Sequence, residues 1–249
     1  MTLNQRIFGM FEEKARRTTV EQLCIGLGYT AVATSDGGLG IAYSYFDTKN
    51  TCMMNKLYDN PEGRPAIGLV EKILSDVPLQ RSLALAAINA LNSDAARNLP
   101  EEPDNQILLD HLDIGPGTRV AMVGAFKPLI HLIRERGGDL MVHDIGQGIG
   151  DKAFFYEKLR QWAEVLILTS TSLLNNTTEE ILSHIRRETR TVMLGPSTPM
   201  VGEIFKDLPV NFLAGTVPME KEATFRVIRH GNGTPVIQKF GRKVSMAII

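Results

Sequence analysis

Thr169, Ser170 and Thr171 set three hydroxyls in a row, and Asn175-Asn176-Thr177-Thr178 follows a few residues on. Together they can offer several hydrogen-bond donors and acceptors to one small polar ligand. Gly195-Pro196-Ser197-Thr198-Pro199 is a second stretch of this kind. Its prolines fix the backbone and hold two hydroxyls between them, as a rigid pocket wall requires. Without a ligand the same residues have plainer uses. Ser and Thr at strand ends satisfy backbone groups, Asn175 to Thr178 cap a helix, and the proline-bounded stretch is a stiff turn.

Gly124 and Asp144 form a third constellation, twenty residues apart. In a dinucleotide fingerprint an acid near that position takes the ribose hydroxyls. However, Gly124-Ala125-Phe126-Lys127-Pro128 has one glycine of the three, Phe126 crowds the place of a pyrophosphate, and Pro128 removes an amide donor. An adenosyl group without pyrophosphate, as in S-adenosylmethionine, meets these objections better than NAD or another dinucleotide. Ser35-Asp36-Gly37-Gly38-Leu39-Gly40 lets a ligand or a second domain approach its backbone, or is a plain hairpin. Asn89, inside an apolar helix, needs a hydrogen-bond partner.

Metal signatures are poor. The five histidines form no HxxxH or HExxH pattern, and the two cysteines, Cys24 and Cys52, form no CxxC pair. Cys52 beside Met53 and Met54 is the one cluster of soft ligands. No nucleophile elbow, P-loop or triad spacing is present either.

The elements that must position these residues follow from periodicity. Residues 2–17 read as an amphipathic helix, with Ile7, Phe8, Met10 and Phe11 on the apolar side. Residues 23–33 read as one strand, Gly37-Gly38 as a tight turn and residues 39–46 as the returning strand. Residues 47–63 are polar and irregular. Helical periodicity resumes over 65–74 and again over 79–91 (LQRSLALAAINAL), a helix apolar enough to be buried. This half reads as a small α+β unit. Two prolines and three acids in NLPEEPD put a boundary at its end, dividing the chain into 1–104 and 105–249.

Beyond residue 115 strand and helix alternate. Strands over 119–123, 140–143, 165–168, 191–194 and 210–214 predict a doubly wound, Rossmann-like and mostly parallel sheet of about five strands. Thr177 and Glu180 have capping-box spacing, so a helix should start there. Residues 226–237 read as a further strand or hairpin. Both hydroxyl-rich stretches then follow strands at one edge of the sheet, where α/β proteins bind ligands. That coincidence favours the binding reading of Thr169 to Asn175.

Composition excludes several classes. A formal net charge of -1 offers no basic excess for nucleic acid or an acidic membrane surface. No apolar run reaches the ~20 residues of a membrane span, no signal-peptide core follows the N-terminus, and sparse cysteine suits a reducing cytoplasm.

The segments Gly26-Leu27-Gly28-Tyr29-Thr30, Gly37-Gly38-Leu39-Gly40, Ala86-Ala87-Ile88-Asn89-Ala90-Leu91, 169–178 and Gly195-Pro196-Ser197-Thr198-Pro199 resemble the heavy-metal-chelation family, long known as a domain of unknown function. The resemblance spans nearly the whole chain and keeps the motif order. It implies an enolase N-terminal-like domain, then a Rossmann-like domain, with a site in the cleft between them. Carried over, Gly38, Gly40 and Asn89 face the strand-end loops of the second domain. The expectation is a cytoplasmic protein whose Thr169, Ser170, Thr171 and Asn175 bind a small polar ligand or metal chelate, with residues 195–198 as a wall. A divalent or heavy-metal ion stands ahead of S-adenosylmethionine or a nucleotide as cofactor. The alternative is a transferase using an adenosine-containing cofactor beside Gly124, Phe126 and Asp144. A subunit role with a vestigial pocket, and assembly as a homo-oligomer, also remain open.

Overall fold

Thr2 starts the first helix. Its hydroxyl accepts from the Gln5 N–H while the Gln5 side chain accepts from the Thr2 N–H, a reciprocal cap that opens α1 (Leu3–Arg17). Leu3, Ile7, Phe11 and Ala15, spaced by one helical turn, are buried. The computed structural model describes residues 1–46 and 59–248; the Cys52-Met53-Met54 cluster and part of the polar 47–63 stretch lie outside them.

Three antiparallel strands follow, β1 (Val20–Ile25), β2 (Tyr29–Thr34) and β3 (Leu39–Tyr43), in the order β1-β2-β3. The single strand expected over 23–33 is therefore two. Gly26-Leu27-Gly28 turns the chain, with Gly26 N–H bonded to Tyr29 O. A side chain at Gly26 would stand 2.4 Å from the Ile228 carbonyl, so this corner needs glycine for a close approach from the C-terminal part of the chain. Gly37-Gly38 makes the second turn as expected, with Gly37 at φ 80°.

Next come α2 (Ile67–Val70), which tightens into a 3-10 turn over Glu71–Leu74, and α3 (Pro78–Leu91), with proline in its first turn. Two short helices, α4 (Ser93–Arg97) and α5 (Gln106–His111), bridge to the second half. There β4 (Arg119–Val123), α6 (Lys127–Glu135), β5 (Asp139–His143), α7 (Lys152–Gln161), β6 (Val165–Thr169), α8 (Thr178–Leu182) and β7 (Arg190–Leu194) alternate. The chain ends with β8 (Phe212–Pro218), α9 (Lys221–Arg229), α10 (Thr234–Ile237) and β9 (Gly241–Ala247).

The second sheet has the order β5-β4-β6-β7-β8-β9, parallel except for β9, which runs antiparallel to β8. The sixth strand corrects the expected tail. Residues 226–237 are mostly helical because Thr224, Phe225, Val227 and Ile228 form a buried stripe of helical period in α9, and the added strand starts only at Gly241.

The first sheet is covered on both faces. Small residues of α3 (Ala86, Ala87, Ala90) lie against one face. Phe225, Val227, Ile228 and Ile237 of α9 and α10 join Tyr29, Ala31, Ala33, Leu39 and Ile41 on the other. One apolar cluster runs from α1 and α3 through Leu166, Leu168 and Leu174 to Met200 and Leu213, so the two sheets share a core. Among the described residues no helix is long and apolar enough to cross a membrane.

Candidate functional site

β4 is the first strand of the second sheet; β5 lies on one side of it and β6 on the other. The winding therefore reverses between β4 and β6. In open α/β sheets the crevice beyond the carboxyl ends of two such strands receives ligands, because no crossover covers it. Here those ends are Gly124 and Thr169. Gly124 has φ 90°, and a side chain on it would lie 3.0 Å from Thr169 Cβ and 3.4 Å from the Phe126 ring. One strand further, Gly195 has φ 134°, and a Cβ there would stand 2.7 Å from Ser170 Oγ. The fold thus brings Gly124, Phe126, Thr169, Ser170 and Gly195 together along one edge.

The loop after β6 is organised by its own side chains. Thr169 Oγ1 lies 3.0 Å from Thr171 Oγ1 and accepts from the Thr171 N–H, which starts a 3-10 turn over Ser170–Leu173. Asn175 Oδ1 accepts from both the N–H and the hydroxyl of Thr177. This overturns the expected capping box. Helix α8 does begin at Thr178, but the Thr177 hydroxyl is already given to Asn175, and Glu180 pairs with Lys152 at 2.8 Å. The hydrogen bond from Lys152 is the main reason the Glu180 carboxyl sits below its usual pKa.

After β7, Ser197 and Thr198 are buried, and their hydroxyls are engaged. Ser197 Oγ accepts from Tyr43 N–H at 2.8 Å, and Thr198 Oγ1 donates to Ala214 O at 2.9 Å. Pro196 is half-buried between them and Gly195. The stretch is tied to both sheets.

From the first half, Asn89 reaches this region. Its Nδ2 donates to Ile41 O at 2.9 Å and to Ser197 O at 3.4 Å. Gly38 and Gly40 serve a different contact. A side chain at Gly40 would lie 2.1 Å from Ala90 N and 2.3 Å from Ala86 O, and one at Gly38 would lie 2.3 Å from Ala90 O. Both glycines let α3 pack backbone to backbone on β3.

Asp144 closes the edge at β5. Its Oδ2 accepts from Ala125 N–H at 2.8 Å and from Gln147 Nε2, and its Oδ1 accepts from Gln147 N–H. The carboxylate thus ties the β4–α6 turn to the 144–150 loop.

Two features escaped the sequence reading. Tyr43 and Tyr45 bring an aromatic wall from the end of β3, with ring centroids 6.2 Å apart, edge to face, and Tyr45 Oη 3.5 Å from Asn175 Nδ2. The Tyr43-Ser44-Tyr45 alternation was the available signal. Arg81 is the other, a buried cation on α3 whose Nε donates to Leu174 O at 2.6 Å. A lone charge within LQRSLALAAINAL could have marked it.

Among the described residues no three His, Cys, Asp or Glu side chains gather in a way that could hold a metal ion. The donors at the strand ends are hydroxyls and amides, with the Asp144 carboxylate beside them. These are hard ligands, whereas a bare soft ion wants thiolate or imidazole. The residues brought together do not fit such an ion.

The fold defines an α/β protein in which a small antiparallel sheet with its helices is set against the carboxyl edge of a doubly wound sheet. Its family follows from the sequence. Two family models described as "Putative heavy-metal chelation" match residues 10–92 and 107–247, and the chain belongs to that family. An uncharacterized protein of Methanocaldococcus jannaschii is 22% identical over 261 residues, covering 99% of this chain and 96% of the relative. A crystal structure of a protein of unknown function from Pyrococcus horikoshii matches with a TM-score of 0.81 at 19% identity, over 99% of this chain and all of that one. Another, from Desulfitobacterium hafniense, gives 0.78 at 20% identity, over 98% of both chains. At these identities the two structures speak for the fold.

Proposed function

We propose that the protein is a cytoplasmic metal-handling protein that binds a small polar metal chelate at the carboxyl ends of β4, β6 and β7. Thr169, Ser170, Thr171 and Asn175 supply hydrogen bonds, residues 195–198 form the rigid wall, and Tyr43, Tyr45 and Asn89 close the site from the first sheet. The observation that carries this reading is the meeting of Gly124, Thr169, Ser170 and Gly195 along the carboxyl edge beside the β4–β6 switch point, where Thr169 packs on Gly124 and Ser170 on Gly195 too closely for a side chain on either glycine. The hard donor set argues for a metal that arrives with its own chelator, because the chelator then offers polar groups that hydroxyls and amides can recognise. The family description supports the metal. A division of the chain near residue 104 fits the two matched segments. The adenosyl reading has no comparable support, since both Asp144 oxygens are engaged by Ala125 and Gln147.

The test is thermal unfolding of chelator-stripped protein with zinc, nickel or cobalt, each alone and with citrate, and with S-adenosylmethionine alone. A ligand at a hundred times its Kd stabilises by about 2.7 kcal/mol, which is readily seen in the midpoint. The expected result is a shift with metal and citrate together that is absent with either alone and lost in Asn175→Ala. No shift, or a shift with S-adenosylmethionine alone, would overturn the reading.

A further inference from the structure

Helix α3 is apolar along most of its length, yet it carries Arg81, Ser82, Asn89 and, at its C-terminal cap, Asn92. Each of the four bonds to a backbone group at the candidate site or its walls. Ser82 Oγ accepts from Tyr45 N–H at 3.0 Å. The other three cross to the second half, and each ends on a carbonyl of a strand-end loop: Arg81 on Leu174, Asn89 on Ser197, and Asn92 on Met200 at 3.0 Å. Arg81 and Asn92 are about three helical turns apart, so they project from one side of the helix.

Arg81 is the most demanding of these. It is 3% exposed, and burying a guanidinium is unfavourable unless its donors are used. Its Nε donates to Leu174 O, and Nη1 donates to Ser75 O. The Leu174 carbonyl and the Asn175 N–H share one peptide plane. The oxygen of that plane is held by Arg81, and its N–H donates to Thr171 O at 3.3 Å. The orientation of Asn175 is therefore set from α3, although 93 residues separate Arg81 from Leu174.

We infer that Arg81 is a positioning residue for the loop after β6: its guanidinium fixes the Leu174–Asn175 peptide, and through it the groups of Thr171 and Asn175 that meet the ligand. This role in binding rests on the proposed function, while the ordering of the loop can be tested without it. An apolar side chain would fill the same space at less desolvation penalty, but it would leave the Leu174 carbonyl without that donor. Lysine would keep the charge and lose the planar fork.

The experiment is amide hydrogen exchange on the whole protein carrying Arg81→Lys or Arg81→Ala, with the zinc–citrate thermal shift measured in parallel. In both variants the Asn175 and Thr177 amides are expected to exchange at least about tenfold faster, while Ile167 and Leu168 in β6 stay within about twofold. Millimolar guanidinium should restore protection in Arg81→Ala, and ammonium should not. Unchanged loop exchange would overturn the inference. So would a rise of equal size through β4 and β6, or equal rescue by ammonium, since these mean that Arg81 supports only the fold. If Arg81→Ala does not fold, Arg81→Lys decides. A wild-type protein that ignores zinc–citrate would sink the binding reading and leave the exchange result standing.

Discussion

The Tyr43 N–H donates to Ser197 Oγ at 2.8 Å across a separation of 154 residues, so a loop of the parallel sheet takes the last edge amide of the antiparallel one. A serine in the proline-bounded stretch thereby becomes a joint between the two sheets. Ser197→Ala removes the acceptor and leaves a part-buried N–H without its partner. The expected loss is about 1–2 kcal/mol, read from the urea midpoint with an unchanged slope.

Gly40 and Gly68 make a contrasting pair. At Gly40 a methyl group would collide with the backbone of α3, which cannot move without separating the helix from β3. Gly40→Ala should destabilise by about 3 kcal/mol or more, or prevent folding. At Gly68, in α2, a methyl group meets nothing within 4 Å. Gly68→Ala should stabilise by about 0.5–1 kcal/mol, by removing freedom from the unfolded chain. Denaturant unfolding of the two variants checks both signs.

Tyr29 gives stability an alkaline limit. Burial pushes its hydroxyl up to about 12 from an ordinary 10.0, against a weaker opposing effect of the Thr234 hydrogen bond. Because the folded value is raised, its contribution is complete below the unfolded value and is lost as pH climbs toward 12. Between these values stability should fall by up to about 1.4 kcal/mol per pH unit from this group. In Tyr29→Phe that component of the slope should vanish, as measured by urea midpoints from pH 9 upward (about one unit below the ordinary tyrosine value).

Asp144 holds two loops with one carboxylate. Asp144→Ala leaves the Ala125 and Gln147 amides without their acceptor and should destabilise by about 1–3 kcal/mol. Amide exchange should rise at Ala125 and Gln147 while β7 is unaffected. A variant as stable as the parent would show that water replaces the carboxylate without loss.

The five parallel strands of the second sheet were legible because they are short apolar runs closed by a glycine or a polar cluster, whereas β9, with Arg242, Lys243 and Ser245 in it, is not such a run. The sheet edge carrying Gly124, Asp144, Thr169 and Gly195 could therefore be read from order alone. Helix α3 was equally plain. The turn at Gly26-Leu27-Gly28 was not, since apolar residues on both sides make one continuous run out of two strands. The tail misled because Val227 and Ile228 are β-branched and favour strands by propensity, while packing against Ala31 and Ile41 makes them helical. Tyr43, Tyr45 and Arg81 stand out locally, as an aromatic alternation and a lone charge in an apolar helix, but what they contact could not be read from the sequence. Their partners are Ser197, Asn175 and Leu174, and no local pattern records a contact made that far along the chain.

Phe225, Ile228 and Ile237 cover a sheet formed near the start of the chain. On the ribosome, β1 to β3 emerge with α3 to line one face and nothing to line the other. At about 5–20 residues per second, roughly ten seconds or more pass before α9 follows. Through that interval Ala31, Ala33 and Ile41 stay open to solvent or to a chaperone. The nascent chain is thus open to association at β2 and β3 until α9 and α10, made much later, cover that face.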